Sequence, residues 1–113
     1  MRYMFFVIAP PSDGPPPQGL MDAMGKLIER RTAEGSLIDT GGLFPIQMGA
    51  RISLKRGEIN VIDGPFTETK ELIGGYAILE MASLDECIAF CSQYADILLS
   101  GAHQLEIDIR PLA

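Results

Sequence analysis

Residues 3–9, Tyr-Met-Phe-Phe-Val-Ile-Ala, are apolar at odd and even positions alike, the pattern of a central strand covered on both faces. Five prolines in residues 10–17 exclude helix and ladder, and predict a stiff surface connection; a ligand for a proline-recognition module is the alternative. Over 18–34 the apolar positions Leu20, Met21, Met24, Leu27 and Ile28 recur at helical spacing, with Asp22, Lys26, Glu29 and Arg30 on the other side. Gly35 is placed to close that helix in a left-handed cap. A second strand follows over 36–43, loosened by Gly41 and Gly42.

Residues 50–55 alternate, with Ile52 and Leu54 on one face and Arg51, Ser53 and Lys55 on the other. Arg56-Gly57 makes a turn, and 58–62 return as the second strand of a hairpin. Residues 75–81 are apolar on most of both faces. Ser83-Leu84-Asp85-Glu86 is a capping box, in which Ser83 accepts from the third helical amide and Glu86 reaches back. Leu84, Cys87, Ile88, Cys91, Tyr94, Ala95 and Leu98 then form a helical stripe. Residues 104–110 alternate, with Leu105, Ile107 and Ile109 inward.

This order predicts a single α+β domain over residues 1–113. It is a ferredoxin-like sandwich with an inserted β-hairpin, an antiparallel sheet and two helices on one of its faces. Two helices cover one side only, whereas 3–9 and 75–81 are apolar on both. A second copy of the chain is therefore expected on the other face, as a homodimer.

Composition narrows the function classes. Nine basic against fifteen acidic residues give −6, which disfavours a nucleic-acid partner. No basic amphipathic face points to a membrane surface. The N-terminal apolar run is too short to span a bilayer and precedes proline rather than a small-residue cleavage site, so a cytoplasmic location is expected. Cys87 and Cys91 stand four apart, on one helix face; they read as small apolar core residues, with a redox pair or two metal ligands as the alternatives. There is no glycine-rich loop between strand and helix and no His/Cys cluster, so no cofactor is expected and no metal.

Chemistry concentrates in residues 63–71, Asp-Gly-Pro-Phe-Thr-Glu-Thr-Lys-Glu. Asp63 ends a strand, so the sheet holds its carboxylate, and partial desolvation would suit it to act as general acid or base. Phe66 is the expected apolar anchor. Lys70 can orient an anionic substrate, Glu68 or Glu71 can supply a second carboxylate, and Tyr76 on the next strand a hydroxyl donor. The same residues also read as turn chemistry, since Asp-Gly and Gly-Pro favour tight turns and the charges suit a solvated loop.

Across most of its length the chain resembles the YCII-related family, in the branch named for its Asp-Gly-Pro-Phe motif. The matching pieces are Arg2-Tyr3-Met4, Gly42-Leu43 with Pro45, the whole of 63–71, Gly74-Gly75-Tyr76 and Arg110-Pro111. The resemblance implies a ferredoxin-like protomer that pairs into a dimeric α/β barrel. In some members an Asp and a His approach each other in a cleft; the Asp matches Asp63. The His of those members lies on the first helix, and this chain has none between 18 and 34. Its single His, His103, begins the last strand. The resemblance also implies an association with extracytoplasmic-function sigma factors, which members of the branch accompany as neighbours or fusions.

Two function classes follow. One is acid/base chemistry on a small molecule in a cleft around Asp63. The other is a ligand-binding or regulatory protein of a sigma-factor system, without chemistry. The residue pattern alone does not decide whether the chain is an enzyme.

Overall fold

The computed structural model describes residues 1–9, 18–44, 48–63, 72–98 and 105–113, with the backbone alone at 9, 62, 63 and 72. The elements run β1 (Arg2–Ala9), α1 (Gln18–Glu34), β2 (Leu37–Gly42), β3 (Ala50–Lys55), β4 (Glu58–Asp63), β5 (Leu72–Glu80), α2 (Leu84–Leu98) and β6 (Glu106–Pro111). Four strands form one sheet in the order β2-β5-β1-β6, antiparallel throughout. That order is compatible with a ferredoxin-like fold. β3 and β4 pair only with each other, as the expected inserted hairpin.

β1 lies at the centre, bonded along both edges, and alternation splits its side chains between two environments. Tyr3, Phe5 and Val7 enter a core that also holds Ala77 and Leu79 of β5, Leu27 of α1, and Cys87, Phe90 and Cys91 of α2. Both helices therefore pack on the same sheet face. The centre of that core is aromatic: the Phe5 ring lies 5.1 Å from Tyr94, edge-on, and 6.0 Å from Phe90. Arg31 caps it from α1, its guanidinium 5.3 Å from the centre of the Phe90 ring.

α1 keeps the predicted stripe apart from Met21, whereas α2 is rotated from the orientation its spacing predicts. On α2 the stripe centres on Cys87, Phe90 and Cys91, while Leu84 and Ile88 are each 47 % exposed. Phe90, absent from the predicted stripe, is 2 % exposed. A ring can fill the space above Phe5 that Ile88 would have to reach from the helix flank. On α1 Leu20 and Leu27 are buried and Met21 is exposed.

The caps follow the sequence closely. Gly35 adopts φ +80°; its N–H donates to the Thr32 carbonyl and that of Ser36 to the Arg31 carbonyl, a Schellman motif. At the start of α2 the Glu86 N–H donates to Ser83 Oγ, 3.3 Å. The return bond to Glu86 Oε2 comes from the Ala82 amide, 3.0 Å, one residue earlier than a capping box predicts.

Cys87 and Cys91 are free thiols in the core. Burial, then the neighbouring Cys87, pushes the Cys91 thiol up to about 12, and burial followed by Glu86 raises Cys87 as well. The folded state thus keeps protons that the unfolded chain releases above the ordinary thiol value of 9.0. The associated stability is complete below pH 9.0 and falls as pH rises toward about 12. Denaturant titrations across that range should show the midpoint dropping, and Cys91→Ser should flatten the drop. Replacing Phe90 by Ala should cost about 3–5 kcal/mol, whereas Ile88→Ala on the exposed flank should cost under about 1 kcal/mol in the same unfolding assay.

Candidate functional site

The face of the sheet opposite the helices carries Met4, Phe6 and Ile8 of β1 beside Tyr76 and Ile78 of β5, all half-buried, with no described element packed on them. Polar side chains occupy its edges. Arg110, Asp108 and Glu106 of β6 stand opposite Met4, Phe6 and Ile8. On the other edge Asp39 pairs with Ile78, and Gly41 with Tyr76.

Tyr76 is the polar centre of this face. Its hydroxyl donates to Asp39 Oδ2 at 3.3 Å, and Asp39 Oδ1 accepts from the Thr40 amide at 2.9 Å. The Tyr76 carbonyl accepts from Thr40 Oγ1 at 2.9 Å, which ties β2 to β5 at the same level. The ring lies across β2 because Gly41 has no side chain; a Cβ there would sit 3.0 Å from Tyr76 Cε1 and 3.3 Å from its hydroxyl oxygen. Gly75, on the opposite face of β5, allows the close pairing of the two strands, since a Cβ on it would meet the Gly41 carbonyl at 3.2 Å. Each Asp39 oxygen takes one hydrogen bond and keeps a lone pair, and the Tyr76 oxygen keeps its own acceptor sites. The pair can therefore bind a ligand that presents hydrogen-bond donors.

Asp39 is a residue that strand alternation conceals. Counting by twos from the buried Leu37 puts Asp39 on the core side. The register shifts between Leu37 and Asp39, and that irregularity turns Asp39 to the open face. The consecutive Gly41-Gly42 is the one sequence signal that something approaches β2 closely.

Of the sequence-predicted site residues, Asp63 is the last residue of β4, its backbone paired with Ala50 of β3. Phe66, Glu68, Lys70 and Glu71 lie outside the described residues, as does His103. Tyr76 is placed as above. Among the described residues, no three His, Cys, Asp or Glu side chains converge as metal ligands.

A cavity of about 510 Å³ lies elsewhere, beside the Glu80 end of β5, with Arg31, Ser36, Glu80 and Glu86 in its wall. Most of its polar groups are engaged in holding the fold, although Arg31 Nε is buried without a hydrogen-bond partner. Arg31 bonds Glu34 at 3.3 Å and Gln93 at 3.0 Å. Glu80 takes the Met1 ammonium at 3.1 Å and Arg2 Nε at 3.3 Å, and the ammonium foremost lowers its carboxyl below the ordinary value. Glu86 serves the α2 cap. Tyr76 does not border this cavity.

The model of the YCII-related domain matches residues 1–100. The chain belongs to the YCII-related family. It is also 34 % identical, over 87 residues, to an uncharacterised protein of Rhizobium meliloti (strain 1021), an alignment that covers 76 % of this chain and 68 % of that protein. In this YCII-related chain Tyr76 lies on β5, the strand that follows the 63–71 segment in sequence and begins at Leu72.

Gly41→Ala should displace the Tyr76 ring and break its bond to Asp39, whereas Gly42→Ala, where a Cβ would meet the Gly74 carbonyl at 3.9 Å, should not. Tyrosine ring shifts in NMR spectra of the two variants read the difference directly.

Proposed function

We propose that this chain is a cytoplasmic homodimer of the Asp-Gly-Pro-Phe branch, pairing as a dimeric α/β barrel, with a small-molecule cleft to which Asp63 and Tyr76 contribute. Asp63 acts there as general acid or base, Phe66 anchors the segment, Lys70 orients an anionic substrate, and Glu68 or Glu71 supplies a second carboxylate. The observation that carries the reading is the apolar second face of the sheet, with the Tyr76–Asp39 pair at its edge. An apolar wall with a few fixed polar groups is the usual make-up of a small-ligand site. Location at a strand end supports the choice of Asp63, because the β3–β4 pairing fixes its backbone. A location in the cytoplasm is in keeping with two free thiols, and no helix among the described residues is long and apolar enough to cross a membrane.

A second reading is a ligand-binding or regulatory protein of a sigma-factor system. The specific observation in its favour is that α1 carries no His to partner Asp63.

A thermal-shift screen of small organic acids and related metabolite-sized compounds supplies the ligand, and incubation with it supplies the turnover. Asp63→Asn keeps the size and the turn preference while removing the charge. It should lower a measured rate by about a hundredfold or more while leaving the melting temperature nearly unchanged. An unchanged rate in the folded Asn variant removes Asp63 from catalysis, and binding without turnover favours the regulatory reading.

A further inference from the structure

The β3–β4 ribbon presents an apolar face that no described element of its own protomer covers. Ile52 pairs with Val61 and Leu54 with Ile59, so the four share one side of the ribbon. They are 71 %, 65 %, 70 % and 71 % exposed respectively. Half of the fourteen exposed large hydrophobic residues among those described fall between Leu43 and Val61, with Phe44 and Met48 near the ribbon's root. Exposure at this density in one element is unlike the scatter normal for a protein surface.

A two-stranded ribbon without a third strand or a packed face is marginal in water. The turn supplies some order, since Arg56 and Gly57 take φ of +53° and +79°, the type I′ geometry matched to strand twist. It supplies no burial. The ribbon also extends the molecule: the radius of gyration is 15.9 Å, against about 13 Å for a compact chain of this length.

We propose that the β3–β4 ribbon is an arm that docks, by its Ile52–Leu54–Ile59–Val61 face, on a second copy of this chain. The inference rests on the homodimer proposed above and says which part of one copy meets the open sheet face of the other. Two observations select a second copy over an unrelated partner. The first is that the same chain carries the matching surface, the apolar sheet face of Met4, Phe6, Ile8 and Ile78, also without a described cover. The second is charge. Chains of −6 repel one another, but the ribbon over residues 50–63 carries +1 and the remainder −7. The arm is thus the part of one copy that the other attracts.

The area suffices. Four such side chains offer about 400 Å² per arm, a patch of the size that marks an interaction site. Two arms give about 800 Å², and the sheet faces bring the total into the range of about 1,200–2,000 Å² of stable interfaces.

The test compares the full-length protein with Leu54→Asp/Ile59→Asp by sedimentation velocity over a micromolar concentration series. Both side chains are solvent-exposed in the protomer, so the helix-and-sheet body should keep its circular dichroism. The wild type should dimerise, and the variant's dissociation constant should rise about a hundredfold or more. A variant that dimerises as tightly as the wild type overturns the arm and leaves the homodimer standing. A wild type that stays monomeric across the series overturns both. Should the Asp variant fail to fold, Ile59→Thr/Val61→Thr keeps the β-branching that the strand favours and is read the same way. Hydrogen exchange of the β3–β4 amides gives an independent reading: protection should fall on dilution, and protection that ignores dilution counts against the arm.

Discussion

The structure is organised by a mismatch in β1. The strand is apolar on both faces and bonded on both edges, so it can only be central. The chain supplies helices for one of those faces. Tyr3, Phe5 and Val7 meet α1 and α2 and are removed from water, while Met4, Phe6 and Ile8 remain half-buried on the far side. The helix side is closed by rings: Phe5, Phe90 and Tyr94 fill the layer at separations of 5.1–6.5 Å. Buried free thiols fit around them as small apolar groups. The far side keeps an apolar surface framed by charged residues, and it is on that surface that Tyr76 and Asp39 meet.

The order of elements was legible because each carries its own periodicity and punctuation. Gly35 closes α1, Arg56-Gly57 turns the hairpin, and Ser83 starts α2. What eluded the pattern has a common cause, rotation about an element's own axis. Phe90 and Ile88 are two residues apart on a helix, and either gives a plausible apolar stripe; the shape of Phe5 below decides between them. Asp39 is turned by one irregular position in β2, which no alternation count contains. Ile52 and Leu54 were legible as one face of a hairpin, but that face is outward, because alternation reports which residues share a side and not what lies against it. For the candidate site, residue types in 63–71 indicated chemistry, yet only Asp63 and Tyr76 fall on described elements, and the former only by its backbone.

The two ends of the β1–β5 pair differ in kind. At the Arg2–Glu80 end, ion pairs and the α2 cap consume the polar groups, and the cavity there is lined by side chains already committed to neighbours. At the Tyr76 end, Gly41 removes a side chain so that a phenol can lie across a strand beside a carboxylate. Glycine in a strand lowers its stability through entropy and lost packing. A sequence that keeps Gly41, Gly42, Gly74 and Gly75 at one sheet end and aliphatic residues at the other is weakly built where the Tyr76–Asp39 pair sits. That is the distribution expected of a site rather than of a core.

In the proposed function Asp63 is the residue that joins the cleft to the hairpin. It is the last residue of β4, and its pairing with Ala50 closes the ribbon at its root. Whatever fixes the ribbon therefore fixes the backbone of Asp63. On the proposed reading, docking of the arm on a second copy orders the ribbon, and with it the carboxylate that the acid/base reading depends on. Dimerisation and ligand binding would then be linked, each strengthening the other by the same factor. A protomer alone would hold the Tyr76–Asp39 pair, which depends only on β2 and β5, but would leave Asp63 at the end of a marginal two-stranded ribbon. On that reading the site is divided between a part that one chain builds by itself, the Tyr76–Asp39 pair, and a part, Asp63, whose geometry needs a second copy.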